Sequence, residues 1–222
     1  MRKISRIYET LKIKARSKYI LKTSNIRRKK LKGTNFTIIS NNCWAGLVYQ
    51  SYGLSYNTPT VGMFIVSDDY IKFVSNLKYY MSIDSFEVVE PEHSKWYNEL
   101  KGISKYGLYP IARLGDIELH LLHYGSVLEA QEKWNRRKER IDYNHMLVKF
   151  SEMNLCNENN IQSFQNLEFE NKICFISKKY ERLQNDYTYV VSNDMKNQIK
   201  STNEPIGKSH VVDINQVINS LF

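Results

Sequence analysis

From residue 35 onward, apolar runs of strand length alternate with stretches whose apolar residues recur every three or four positions. Residues 36–40 read as a strand, then a turn, then a helix over residues 45–52. Residues 61–66 form a continuous apolar run of the kind that fills a buried, parallel strand. Ser67 stands where an N-cap belongs, with Asp68 and Asp69 in the first turn, where carboxylates suit the helix dipole, and Ile71, Val74 and Leu77 continue the stripe toward Met81. Residues 86–90 predict a short strand and residues 91–100 a helix or loop excursion. Residues 109–113 and 116–124 predict two strands, or one bent strand, about Leu114-Gly115. Ser126-x-x-Glu129 is a capping box for the helix that follows. Residues 146–151, 173–177 and 187–192 complete the strands, and a last helix begins after Asp213 with Ile214, Val217, Ile218 and Leu221 on one face. Strand–helix alternation of this kind predicts an α/β layered sheet, mixed because of the turn at Gly115, in one domain over residues 34–222.

Residues 1–33 differ. Ile4, Ile7, Tyr8, Leu11, Ala15 and Tyr19 form a helical apolar stripe, and cations fill most of the remaining surface before the run Arg27-Arg28-Lys29-Lys30. Thirteen of the 32 Lys and Arg lie in residues 1–32 beside one of the 23 Asp and Glu, so the net charge of +9 belongs to this arm. The other 190 residues hold 19 cations against 22 acids. A basic amphipathic helix with a polybasic tract suits an anionic membrane surface. Nucleic acid supplies the same attraction, but no zinc finger, helix-turn-helix or RNP-like aromatic motif accompanies the charge. Packing of the stripe on the domain is the third reading. No apolar run spans a bilayer and the N-terminus has no secretory h-region. The three cysteines form no C-x-x-C pair, which argues against a disulfide framework or structural zinc and predicts a cytoplasmic protein, peripheral at the inner membrane face if the arm meets lipid.

Three segments offer chemistry. At the end of the first strand, Ser40, Asn41, Asn42 and Cys43 sit where open α/β sheets bind ligands. A helix N-terminus there favours an anion and lowers a thiol pKa, so Cys43 is a candidate reactive thiolate and Asn41 and Asn42 candidate ligand-binding amides. The alternative is a plain turn beside a small buried Cys. Gly46 is the only glycine between Gly33 and Gly53, so no Gly-rich phosphate cradle is present. In residues 116–124, alternation sends Ile117, Leu119 and Leu121 to one face and Asp116, Glu118 and His120 to the other. That face suits a general base, His120 or Asp116, or a divalent cation, the one cofactor the chain leaves open; a half-exposed strand without function shows the same alternation. In the helix after Ser126, Glu129 can pair with Lys133 and Glu132 with Arg136, whereas Arg137 and Arg140 have no carboxylate within helical reach. Arg137 lies almost on the buried stripe beside Trp134. Its partner is a carboxylate across the fold, such as Asp116 or Glu118, or a bound anion.

FTIISNNCWAG at 36–46, TPTVGMFIVSDDYIKFVSNLKYY at 58–80, YPIARLGDIELHLLHY at 109–124 and KWNRRKERI at 133–141 resemble a bacterial family labelled exopolysaccharide or capsular polysaccharide biosynthesis protein. The resemblance spans roughly residues 35–150 and implies an α/β fold and a setting among surface-glycan genes. It assigns no residue a role. With the residues above, the expected function is a glycosyl- or acyltransferase acting on a lipid-linked or nucleotide-activated sugar. His120 or Asp116 would be the base, Arg137 and Arg140 would hold the anion, and Asn41, Asn42 and Trp134 would shape the pocket. The alternatives are a non-catalytic module that binds an anionic glycan intermediate and a nucleic-acid-binding protein.

Overall fold

A computed structural model describes residues 18–103, 105–177, 180, 183, 185–191, 199 and 212–222. Two four-stranded sheets organise them. One is parallel, in the order β1 (Thr37–Ser40), β6 (Met146–Ser151), β7 (Lys172–Ile176), β8 (Thr188–Val190). The other is antiparallel, in the order β2 (Phe64–Ile65), β5 (Ile117–His120), β4 (Ile111–Leu114), β3 (Glu87–Val89). The whole antiparallel sheet lies between β1 and β6 in the chain, and β1 and β6 then pair in register, Thr37 opposite Met146. The fold is therefore mixed α/β, with helices flanking the sheets.

Both faces of the parallel sheet are covered, which is why its strands are near-continuous apolar runs. Successive residues point to opposite faces. Ile38, Leu147, Ile173 and Phe175 pack with α2 (Trp44–Tyr52) and α8 (Ile214–Asn219). Ile39, Val148, Cys174 and Ile176 join the other core, which includes Ile117 and Leu119 of β5. Between the sheets lie α3 (Ser67–Ser75), α4 (Leu77–Ser82) and α6 (Val127–Lys138), contributing Phe73, Leu77 and Trp134. The Tyr70 hydroxyl, fully buried, bridges the backbone carbonyls of Ile39 and Lys149 at 3.0 and 2.9 Å. Further helices among the described residues include α1 (Ser24–Arg28), α5 (Tyr97–Leu100) and α7 (Glu158–Gln165).

Three expectations need correction. The apolar run at 61–66 is not a parallel strand. Gly62 turns the chain with φ +81°, and only Phe64 and Ile65 pair, antiparallel to β5. Ser67 is inside its helix and not the cap; its hydroxyl donates to the Met153 carbonyl at 2.8 Å. The strand expected over 116–124 stops at His120. Gly115, at φ +62°, and Asp116 form the two-residue loop between β4 and β5, and residues 121–124 fold into a turn. Asp213, by contrast, caps α8 through the Asn215 amide at 2.9 Å.

Residues 1–17 of the basic arm lie outside the described residues. From Ser24 the arm packs against the domain. Arg27 Nε donates to the Ser51 carbonyl at 2.7 Å, and Asn219 ties the arm at both Lys30 and Lys32, at 2.9 and 2.8 Å. Among the described residues no helix is long and apolar enough to cross a membrane, and the three cysteines are free.

Candidate functional site

The turn after β1 and the C-terminal half of α6 approach each other across Gly62, and a cleft of about 350 Å³ opens between them. Arg137 forms its floor. The residue is 8% exposed, and its guanidinium donates through Nη1 to the Tyr124 hydroxyl at 2.9 Å and lies 5.0 Å from the centre of the Tyr56 ring. A guanidinium carries five N–H donors, and among the described residues neither a carboxylate nor a second acceptor meets this one. Lys133, paired with Glu129, stands 5.4 Å over the Tyr124 ring on the same wall. Cys43, Leu47, Gln50 and His123 also line it. The result is a positive, aromatic-walled hollow, suited to a phosphate or carboxylate and to the flat face of a sugar.

Gly62 makes this approach possible. Its positive φ suits glycine, and a Cβ there would meet the Tyr124 ring at 3.1 Å and the His123 Cβ at 3.4 Å. His123 is held by its own amide, which donates to the Gly62 carbonyl at 3.0 Å, and its side chain is exposed.

The structure separates the residues that the sequence grouped. Cys43 lines the cleft but is not a thiolate. Burial raises its pKa to about 11, against the opposing pull of a backbone hydrogen bond and Lys149, and the thiol donates to the Met63 carbonyl. Asn41 is fully buried and exchanges two hydrogen bonds with the Ser151 backbone, at 3.0 and 3.1 Å, so its amide extends the β1–β6 ladder instead of facing a ligand. Asn42 accepts from the Ser40 hydroxyl and the Trp44 amide at 3.1 Å each, which closes the turn that leads into α2. Trp134 is fully buried against Phe73 and Phe86 and lines no cleft. Arg140 is exposed and among the described residues reaches only the Tyr56 carbonyl, at 3.5 Å, in a separate shallow groove.

Asp116, Glu118 and His120 do not form a common face for catalysis or a cation. Asp116 is exposed and bound to Lys72 at 3.0 Å and Tyr80 at 2.6 Å; those two hydrogen bonds hold its carboxyl below the usual range. Glu118 is fully buried and accepts from the Ser94 hydroxyl at 2.6 Å and the Lys95 amide at 3.1 Å. His120 is fully buried, stacked on Phe64 at 4.4 Å with Tyr109 edge-on, and neither ring nitrogen has a partner among the described residues. Burial, and secondarily Lys95, lowers its pKa to about 3, so the ring is neutral and shut away from any reactant. Neither Asp116 nor Glu118 reaches Arg137, whose partner is Tyr124. Among the described residues no group of three or more His, Cys, Asp or Glu is placed to hold a metal ion.

Sequence reasoning passed over Tyr56, and it did not select His123 and Tyr124 although they lie within the strand it weighed over residues 116–124. It also missed two buried charges at the carboxyl ends of the parallel strands. Lys149 packs between the Trp44 and Phe175 rings at 5.1 and 5.0 Å, and Glu152 accepts from the Ser177 amide and hydroxyl at 2.6 and 2.8 Å. A lysine within the apolar strand 146–151 was the available signal for the first.

The chain is similar to an uncharacterized protein of Haemophilus influenzae, 27% identical over 172 residues, which cover 78% of this chain and 76% of that protein. The profile of a domain of unknown function, DUF1919, matches residues 14–219, so the same sequence unit takes in part of the basic arm, the cleft and α8, and the chain belongs to the DUF1919 family.

Proposed function

We propose that the cleft over Arg137 binds the phosphate of an activated sugar, and that the chain is a glycosyltransferase of surface-polysaccharide assembly. The observation that carries this reading is Arg137 itself, a nearly buried cation without a carboxylate partner among the described residues, on the floor of an accessible hollow. The polysaccharide setting rests on the resemblance of residues 36–46, 58–80, 109–124 and 133–141. In this reading an acceptor hydroxyl loses its proton to His123 as its oxygen bonds to the anomeric carbon. The phosphate leaves with the bonding electron pair toward Arg137 and Lys133. Acyl transfer through a Cys43 thiolate is not favoured, because burial keeps that thiol protonated.

Titration calorimetry with a sugar 1-phosphate tests the site. A charge-assisted hydrogen bond contributes about 1.5–3 kcal/mol, so Arg137→Ala is expected to weaken binding by roughly tenfold or more. Arg140→Ala, in its separate groove, should stay within about twofold. Undiminished affinity in folded Arg137→Ala would sink the proposal.

The arm carries a second element of the same reading, attachment to an anionic membrane surface. Tyr19, Leu21 and Ile26 are 67%, 56% and 63% exposed, amid Lys18, Lys22 and Arg28, so packing on the domain leaves an amphipathic face open. Sedimentation with anionic vesicles at low salt is expected to bring the protein down, and to fail after deletion of residues 1–22. Absence of sedimentation removes the membrane reading, and a salt-dependent gel shift of nucleic acid in its place selects the nucleic-acid alternative.

A further inference from the structure

The cleft has a second lobe. Cys43, Leu47 and His123 line both the hollow over Arg137 and an adjoining hollow of about 430 Å³ that runs on toward Phe64, Leu122 and Met153. The character of the wall changes at that neck. Beyond it Phe64, Tyr109, Leu122 and Met153 make the surface mostly hydrocarbon and aromatic, the exposed Lys105 is the cation of its lining, and Leu108 stands there 81% exposed, the most exposed of the large apolar residues described. Two amides adjoin this lobe, and their mapped hydrogen bonds run into the protein. Asn42 accepts from Ser40 and Trp44 and donates to the Met153 sulfur, and the Asn154 amide donates to the carbonyls of Asn41 and Ile65 at 3.2 and 3.5 Å. A nucleobase would need donors and acceptors on its edge answered; a hydrocarbon chain would not.

We propose that this lobe receives the hydrocarbon chain of a lipid-phosphate-linked sugar, whose phosphate lies over Arg137 and whose sugar lies at the neck beside His123. The proposal rests on the anion-binding reading above and narrows its substrate from activated sugars in general to those carried on an isoprenoid-type chain. Charge and polarity order the ligand along the cleft. The anion belongs with Arg137 and Lys133, the apolar chain belongs with Leu47, Leu122 and Met153, and the exposed Leu108 leaves the chain a path out of the protein.

The test uses the full chain and soluble probes: inorganic phosphate, a sugar 1-phosphate, a nucleotide sugar, and dimethylallyl, geranyl and farnesyl phosphates below their aggregation limits. Affinity is expected to rise at least tenfold from the five-carbon to the fifteen-carbon phosphate. Leu108→Asp, at an exposed position that leaves the fold intact, should remove most of that rise and leave the sugar 1-phosphate affinity unchanged. Arg137→Ala should weaken every probe. Equal affinities along the chain-length series, with the sugar 1-phosphate still bound through Arg137, would overturn the hydrocarbon lobe and leave the anion site standing. So would a rise that survives Leu108→Asp, or a nucleotide sugar that binds more tightly than farnesyl phosphate. Failure of all the phosphates to bind would overturn both readings.

Discussion

Replacing Asp69 with alanine is expected to lower the free energy of unfolding by about 3 kcal/mol, the lower end of the range for breaking a buried ion pair. Asp69 is 1% exposed and collects three donors from two distant segments: Lys95 Nζ at 2.6 Å, Trp96 Nε1 at 2.9 Å and the Glu118 backbone amide at 2.9 Å. Removing it strands an indole N–H and a strand N–H and leaves Lys95 without its carboxylate. The lysine side chain is 36% exposed, so water recovers part of that loss and the low end of the range applies. Urea unfolding measures the change. Hydrogen exchange at Lys95, Trp96 and Glu118 should speed up with it, because Asp69 and Glu118 together fasten the excursion that contains Ser94–Trp96 onto β5. A destabilisation below about 1 kcal/mol would mean that the excursion is held by its apolar contacts alone.

Stability is also expected to fall with acidification below pH 6.5, at about 1.4 kcal/mol per pH unit from His120 alone. The folded-state pKa is lowered from 6.5 to about 3, first by burial and then by Lys95. Between those values the unfolded chain binds a proton that the folded one refuses. The contribution is therefore fully present above pH 6.5 and is lost as pH falls toward 3. His120→Phe isolates it. The substituted ring keeps the stack on Phe64 and removes two nitrogens that have no hydrogen-bond partner among the described residues. At pH 7.5 the variant should be as stable as the parent or more so, and the difference between them should widen as pH falls. Parallel curves for the two proteins would show that the ring is hydrated or paired in solution.

His120 also shows where sequence reading ended. The alternation in 116–120 correctly separates two faces, but nothing in it says whether the polar face meets water. The loop that carries Ser94, Lys95 and Tyr109 covers Glu118 and His120, and each of these contacts spans 11 or more positions in the chain. Asp69 was legible as a first-turn carboxylate; its role as a hub was not, because its partners are 26 to 49 residues distant. The parallel strands were legible because a sheet covered on both sides needs uninterrupted apolar runs. Direction of pairing was not, since the run at 61–66 looks the same whichever way its neighbour points. Arg137 was reached by a local argument, the lack of any carboxylate within helical reach. Its actual neighbours, Tyr56 and Tyr124, meet only when the segments after α2 and after β5 fold against α6.

The double tie of Asn219 to Lys30 and Lys32 has a consequence in time. The hydrogen bond to Lys30 closes a separation of 189 residues. At ribosomal rates the arm is therefore made on the order of ten to forty seconds before its fastening exists. Throughout that interval the cationic segment can be held by the nearby contact of Arg27 with Ser51 and not by the tie through Asn219. Any surface it meets then competes with a second fastening that has not yet been synthesised.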